Sequence, residues 1–334
     1  MAKKSGFSIG RLVVVAIILI VAIAAFWMYG IWKHPLATHV KKARRTLETV
    51  GLEKMETEIA GNRLVYFQGG EGPLLVLLHG AGDQAGTWAT VAGTLLEEYR
   101  LIIPDITGHG DSEPSEGPLD FRDVVSGLEA FLEVQTHDGP AILVGNSMGA
   151  WLATLYAHRH PDDVSRVVAV NGGPISGDPN NPSLTPADRE AARELMDMLR
   201  DPASPKTPDF VLDDIVRRTH SGPIGRMLQL PNSFVEFLMD WRLSEISTPV
   251  ELVWGESDRF MSLAYAERLL NGLPRARLTK VTACGHIPQA ECPDRFVETL
   301  LSVLGTDPPP PAAVEVEPEI ESDPDPMENA DASR

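Results

Sequence analysis

Gly145-Asn146-Ser147-Met148-Gly149 sets a serine between two glycines where an apolar run, AILVGN, meets a helix-like pattern. A serine hydroxyl can attack a carbonyl, but it is weak at neutral pH and needs a base that a carboxylate orients. The G-x-S-x-G spacing between strand and helix is the context of a nucleophile elbow. So tight a turn holds the serine in a strained backbone conformation, and the glycines leave room because they carry no Cβ. The hydroxyl then projects from the carboxyl edge of the sheet, where ligands bind in open α/β folds. The helix that follows turns unpaired N–H groups and the positive end of its dipole towards a developing oxyanion. An ordinary glycine-rich turn is the alternative, and the strand before and helix after weigh against it.

The partners of such a serine follow it in the order acid, then histidine. His286, in VTACGHIPQAECP, falls in a loop between a strand and the last helix, which frees its imidazole to reach the serine. The other eight histidines occupy juxtamembrane, helix-end, early-loop, turn or cap positions where a structural role is the default. Asp258 ends PVELVWGESD, a strand running into a turn, and its carboxylate would orient His286 without taking the proton; Glu256 is the fallback. Asp105 follows LIIP but precedes the serine and is expected to brace loops. Asn171, at the end of VVAV, stands at an alternative acid position and has no charge to offer. His79-Gly80-Ala81-Gly82 supplies small residues after the first buried strand, so the N–H groups of Ala81 and Met148 are the expected oxyanion donors.

The elements that must position these groups alternate. EIAGNRLVYFQGG suggests two short strands about the Gly61-Asn62 turn. PLLVLLHG, RLIIPD, AILVGNS, RVVAVNGG and PVELVWGESD are short apolar runs of the kind found in parallel strands buried on both faces. Helical patterns over residues 119–135, 148–159, 262–272 and 293–304 separate them. The pattern predicts an α/β fold, a mostly parallel sheet with helices on both faces. Residues 177–245 look helical throughout and predict an inserted cap, leaving 57–176 and 246–305 as the core.

The two ends differ from this body. Leu12 to Trp32 carries no charge, and about 20 apolar residues suffice to span a bilayer core. With Trp27, Tyr29 and Trp32 at its far end, residues 12–32 read as a transmembrane anchor after a short flank, 1–11. A signal peptide cleaved near Ala22-Ile23-Ala24 is the alternative. The basic residues on either side (Lys3, Lys4 and Arg11; Lys33, Lys41, Lys42, Arg44 and Arg45) favour a cytoplasmic domain by too small a margin to fix its orientation. Residues 33–56 are expected to form a juxtamembrane linker whose basic helix lies along anionic lipid. At the other end, residues 306–334 are proline-rich and acidic, and read as disordered. The tail from Asp307 holds nine acidic residues against Arg334, about −8 of the formal net charge of −18. Such a balance argues against a nucleic-acid partner. No Cys/His spacing suggests a metal, no cofactor is implied, and the oligomeric state is open. Cys284 and Cys292 are expected to be buried free thiols, a small disulfide loop being the alternative in an oxidising compartment.

LVLLHGAGDQAGTW, IIPDITGHGDS, LVGNSMGAWLATLYAHRHP, VELVWGESD and CGHIPQAECP, in this order, resemble the α/β-hydrolase superfamily across roughly residues 57–305. The resemblance implies Ser147, Asp258 and His286 as nucleophile, acid and base, and makes residues 172–245 look like the family's variable cap. GNSMG is similar to the elbows of meta-cleavage-product hydrolases and of membrane-anchored monoacylglycerol lipases; Ala150 departs from the glycine usual in the former. The expectation is a membrane-anchored serine hydrolase of a carboxylic, lipid-like ester. Carbon–carbon bond hydrolysis, or a non-catalytic binding protein on a hydrolase scaffold, are the alternatives.

Overall fold

The computed structural model describes residues 13, 16–22, 29–30 and 32–310. The expected flank 1–11, much of the expected anchor 12–32 and the tail from residue 311 lie outside the described residues. Among the described residues no helix is long and apolar enough to cross a membrane.

Eight strands form one sheet in the order β1-β2-β4-β3-β5-β6-β7-β8. They are β1 (Glu53–Ile59), β2 (Asn62–Gly69), β3 (Leu74–Leu78), β4 (Arg100–Pro104), β5 (Ala141–Asn146), β6 (Val164–Val170), β7 (Val250–Gly255) and β8 (Ala276–Val281). β1–β2 and β2–β4 pair antiparallel, and every later pair is parallel. The apolar runs feed two cores because side chains alternate across a strand. Leu74, Val76 and Leu78 of β3 join one cluster while Leu75 and Leu77 join the other. Leu143 and Val144 of β5 divide in the same way. A strand with no polar face fits only a sheet covered on both sides.

On one side lie α3 (Phe121–Gln135), α4 (Met148–Arg159) and α8 (Leu263–Gly272), with the cap above. On the other lie α1 (Pro35–Thr49), α2 (Ala89–Leu95) and α10 (Pro293–Leu304), preceded by the single turn α9 (Pro288–Glu291). The cap comprises α5 (Arg189–Leu199), α6 (Asp209–Thr219) and α7 (Pro223–Met227).

Two expectations are corrected here. Residues 33–56 are no free linker. α1 buries Ala43 and Leu47, and Arg44 turns inward to an ion pair with the fully buried Asp105. Lys41, Lys42 and Arg45 stay exposed, so the helix is amphipathic towards protein with its remaining cations outward. α1 also touches the cap: the Leu36 N–H donates to Asp214 at 3.1 Å, and Arg217 donates to the Lys33 carbonyl at 3.1 Å. β1 begins at Glu53, four residues before the expected edge of the core. Secondly, NSFVEFLMDWRL is not an α-helix but a series of short 3₁₀ turns, Pro231–Ser233, Val235–Phe237 and Leu243–Glu245. A helix would have used its own backbone groups, but these are diverted outward. The Phe237 carbonyl accepts the Trp151 indole N–H at 2.9 Å, and the Met239 N–H donates to the Pro174 carbonyl at 2.6 Å.

Candidate active site

Ser147 stands between β5 and α4 with φ 55° and ψ −116°. A non-glycine residue there costs on the order of 1–3 kcal/mol and persists only where its surroundings over-determine it. Three glycines do so. A Cβ on Gly145 would lie 2.2 Å from the Gly149 carbonyl carbon, and one on Gly149 would lie 2.3 Å from the Leu78 carbonyl oxygen. On Gly172, after β6, it would lie 2.4 Å from the Ser147 carbonyl oxygen. The Ser147 N–H donates to the Val170 carbonyl at 2.9 Å, which ties the elbow to β6. The residue is half-buried, so solvent reaches it.

His286 and Asp258 meet as a buried pair, His286 Nδ1 at 2.7 Å from Asp258 Oδ2. An ionised carboxylate only accepts, so Nδ1 carries the proton and Nε2 is left as an acceptor. The Asp258 Oδ1 accepts the N–H groups of Phe260 and Met261, each at 2.9 Å, and Oδ2 also accepts the Asn171 amide at 2.7 Å. The edge of the Phe260 ring packs against the imidazole, with centroids 5.6 Å apart. Asn146, immediately before Ser147, donates its amide to the His286 carbonyl at 2.9 Å and so joins the His286 loop to the elbow. No hydrogen bond links Ser147 Oγ to His286 Nε2.

Ala81 lies in the loop after β3, where Gly80 passes so close that a Cβ would meet the Ser147 Cβ at 3.3 Å. Among the described residues the N–H groups of Ala81 and Met148 find no acceptor. Two free donors beside a half-exposed serine are what a developing oxyanion requires. Beneath them His79 donates Nδ1–H to the Gly80 carbonyl at 2.8 Å and accepts the Ile106 N–H at 3.0 Å on Nε2. Burial lowers its pKa to about 4, which keeps it neutral and the loop in shape.

The cap meets this site from two sides. Ile224 of α7 packs over Gly82, while the Leu199 carbonyl at the end of α5 accepts the His286 N–H at 2.7 Å. Glu291 reinforces the second contact by accepting the N–H groups of Gly285 and Asp201, at 2.7 and 3.0 Å, and the Ser204 hydroxyl at 2.5 Å. Cys284 and Cys292 are disulfide-bonded, with Cα atoms 6.0 Å apart, and so brace the loop that carries His286. The expectation of free thiols is overturned: the β8–α10 loop doubles back and brings the two residues together. Asp105 braces loops as expected, through the N–H groups of Ala85 and Asp111, each at 2.8 Å, and through Arg44. Glu256, the fallback acid, points to solvent.

Asn146, Gly172 and Glu291 are site residues that sequence reasoning overlooked, and Asn171 is one that it weighed only as an acid and set aside. Asn171-Gly172-Gly173, a small-residue run at a strand end beside the elbow, was the available signal for two of them.

The model of the "Alpha/beta hydrolase family" matches residues 75–299. A 2-hydroxy-6-oxononadienedioate/2-hydroxy-6-oxononatrienedioate hydrolase of Paraburkholderia phymatum is 33% identical over 298 residues, 80% of this chain and 98% of that protein. Among solved structures, a bacterial membrane phospholipase A superposes with a TM-score of 0.69 at 23% identity, over 88% of this chain and 98% of the other. The meta-cleavage product hydrolase of Pseudomonas fluorescens superposes with a TM-score of 0.59 at 22% identity, over 74% and 96%. At such identities these two structures speak for the fold alone.

Proposed function

This chain belongs to the alpha/beta hydrolase family, and from that premise we propose that it is a serine hydrolase cleaving a carboxylic ester through an acyl-enzyme on Ser147. The observation that carries this reading is the buried His286–Asp258 pair, tied through Asn146 to the strained turn that presents Ser147. His286 Nε2 takes the serine proton as Oγ adds to the carbonyl, and Asp258 stabilises the imidazolium while staying ionised. The N–H groups of Ala81 and Met148 receive the oxyanion, and each such donor typically contributes about 3 kcal/mol. The imidazolium then protonates the departing alkoxide. In the second half His286 deprotonates water, which attacks the acyl-enzyme, and the acid leaves with Ser147 restored.

The acyl group is apolar and uncharged. One turn along α4 from Ser147, Trp151 joins Phe121, Phe234 and Phe237 in an aromatic wall, with Phe121 centroids 4.8, 4.9 and 5.5 Å from the other three. No lysine or arginine of the cap is free for a substrate carboxylate. Arg226 donates to the carbonyls of Gly108, Pro114, Glu116 and Gly117. Arg217 and Arg218 hold Asp214, and Arg242 holds Glu245. Arg189 and Arg193 hold Asp209, Lys206 holds Asp197, and Arg200 faces Glu291. The Paraburkholderia relative is named for dioate substrates, and a dianion would meet no cap lysine or arginine whose N–H groups are uncommitted. Its identity still favours carbon–carbon hydrolysis as the second reading. The apolar stretch 12–32 would anchor the enzyme at a membrane, where a lipid ester partitions.

The test is hydrolysis of p-nitrophenyl esters from acetate to palmitate by the wild-type protein and its Ser147→Ala variant. Turnover by wild type with at least a thousandfold loss in the variant is the expected result, since losing a triad nucleophile can cost about 10⁶ in kcat. An optimum at acetate would count against the lipid-like acyl group. Inactivity on every ester, with turnover of a keto-dienoic acid, would move the assignment to carbon–carbon hydrolysis.

A further inference from the structure

β6 ends in Val170, and Asn171 and Gly172 follow it into the site. Val170 holds the elbow through its carbonyl, and Gly172 lets the Ser147 backbone pass. Asn171, between them, is fully buried and sits in the left-handed region at φ 47°. Its backbone N–H donates to the Val253 carbonyl at 3.2 Å, and its Oδ1 accepts the Gly255 N–H at 3.1 Å. The amide is therefore held from both sides with Nδ2 aimed at Asp258 Oδ2, at 2.7 Å. That oxygen is the one that accepts His286 Nδ1–H. A residue needed only to fill space would require no donor directed at the one atom on which the imidazole depends.

We propose that Asn171 is a positioning residue for the hydrolysis, fixing the Asp258 carboxylate beneath His286 and tempering its basicity, so that it sets the proton affinity of His286. The proposal rests on the serine-hydrolase reading and extends it from three side chains to four. Its physical basis is that a hydrogen bond to an ionised carboxylate stabilises the charged form and competes for the lone pairs the imidazolium uses. The same geometry makes position 171 a second seat for the negative charge, one hydrogen bond from the atom that now carries it.

Other charged groups approach this pair without touching it. In the β7–α8 loop, Glu256 and Arg259 are exposed, and Arg259 donates to the Asp197 carbonyl. On the His286 loop, Glu291 is committed to Gly285, Asp201 and Ser204, and from the cap Arg200 faces Glu291 while Asp201 accepts the Ser257 hydroxyl. In the loop after β3, His79 is held neutral by burial, and burial raises the carboxyl of Asp83. None of these donates to Asp258 or to the imidazole, which leaves Asn171 as the only side-chain donor to that carboxylate besides His286 among the described residues.

The full chain is assayed on p-nitrophenyl butyrate across pH as wild type, Ser147→Ala, Asn171→Gly, Asp258→Asn and the exchange Asn171→Asp/Asp258→Asn. Glycine suits the left-handed backbone at 171, so Asn171→Gly removes the amide without adding backbone strain. Its kcat is expected to fall about tenfold with KM within twofold. The acid limb of kcat/KM should move to higher pH by about half a unit, because a carboxylate relieved of one donor draws the imidazole proton more strongly. Asp258→Asn is expected to lose about 10⁴ in kcat, and the exchange variant to recover at least tenfold over it. A pH profile for Asn171→Gly that superimposes on wild type, with an exchange variant no better than Asp258→Asn, would overturn the proposal. If Asn171→Gly does not fold, the exchange variant, nearly isosteric at both positions, decides alone. Wild-type turnover that survives Ser147→Ala would instead overturn the serine-hydrolase reading, and the proposal with it.

Discussion

Acidification from about pH 7 to about pH 5 should remove several kcal/mol of folding stability, because two buried histidines must stay neutral in the native protein. His79 and His109 lie with ring centroids 5.3 Å apart beneath the loop after β3. Burial lowers His79 to about 4, and burial with repulsion from His79 lowers His109 to about 3. Protonating His79 would also turn an N–H against the Ile106 N–H that it now accepts. In the unfolded chain both titrate at about 6.5. Between that value and about pH 4 the unfolded state binds more protons than the native one, so stability falls as pH falls. At about pH 5 each histidine then costs about 2 kcal/mol, roughly 4 kcal/mol together. Asp83, whose carboxyl is raised by burial, acts in the opposite sense and trims the total. Set against a typical stability of about 5–15 kcal/mol, the loss is large. Urea unfolding followed by tryptophan fluorescence at several pH values measures it. His109→Gln should halve the pH slope while leaving the His79 half in place. Stability within about 0.5 kcal/mol at the two pH values, or a slope unchanged by His109→Gln, would refute the assignment of the acid sensitivity to this pair.

Further outcomes follow from the site. Gly172→Ala should lower kcat/KM for ester hydrolysis by about a hundredfold, because its Cβ meets rigid backbone at 2.4 to 2.8 Å on Ser147 and a small displacement of a reacting group is that costly. Gly173→Ala is the control: its Cβ meets the Leu269 side chain at 2.7 Å, which can yield, so its loss should be several times smaller. Replacing Cys284 and Cys292 together by serine should lower unfolding stability by about 2–3 kcal/mol, since the bond closes a loop with a sequence separation of 8. The same loop carries His286, so activity should fall under dithiothreitol in wild type and be insensitive to it in the variant. Because a disulfide-bonded sulfur offers no thiolate to an electrophile, an alkylating reagent should leave both cysteines unlabelled in protein isolated from cells without reductant.

The parallel strands could be read from sequence because both of their faces are buried, so LLVLL, LIIP and VVAV leave no polar alternative to a covered sheet. Ser147, Asp258 and His286 could be named as candidates for a related reason: each side chain can do only a narrow range of chemistry, and each lies within a few residues after a strand. α1 was not. Its KKARR run has the composition of a solvated or lipid-facing surface, and only the tertiary fold sets the buried Asp105 opposite Arg44. The 3₁₀ turns of the cap were hidden by the same kind of competition, since NSFVEFLMDWRL has helical spacing but loses its backbone partners to Trp151 and Pro174. The disulfide was obscured because a pair of cysteines eight residues apart matches no motif and is joined only by the return of the chain.

Asn171 is the most instructive case. Judged by charge, a neutral residue at an acid position looks like a vacancy, and the reasoning that finds triads passes it by. In the fold that neutrality is what lets it serve, because a carboxylate 2.7 Å from Asp258 would compete with it for a proton, whereas an amide donates one hydrogen bond and repels nothing. Its left-handed backbone, unusual for a non-glycine residue, is accommodated by the asparagine side chain and followed by the glycine that admits Ser147. One turn after β6 therefore holds Ser147 by its backbone and Asp258 by its side chain. The relative placement of Ser147 and Asp258 depends on that turn, a dependence no single residue type announces.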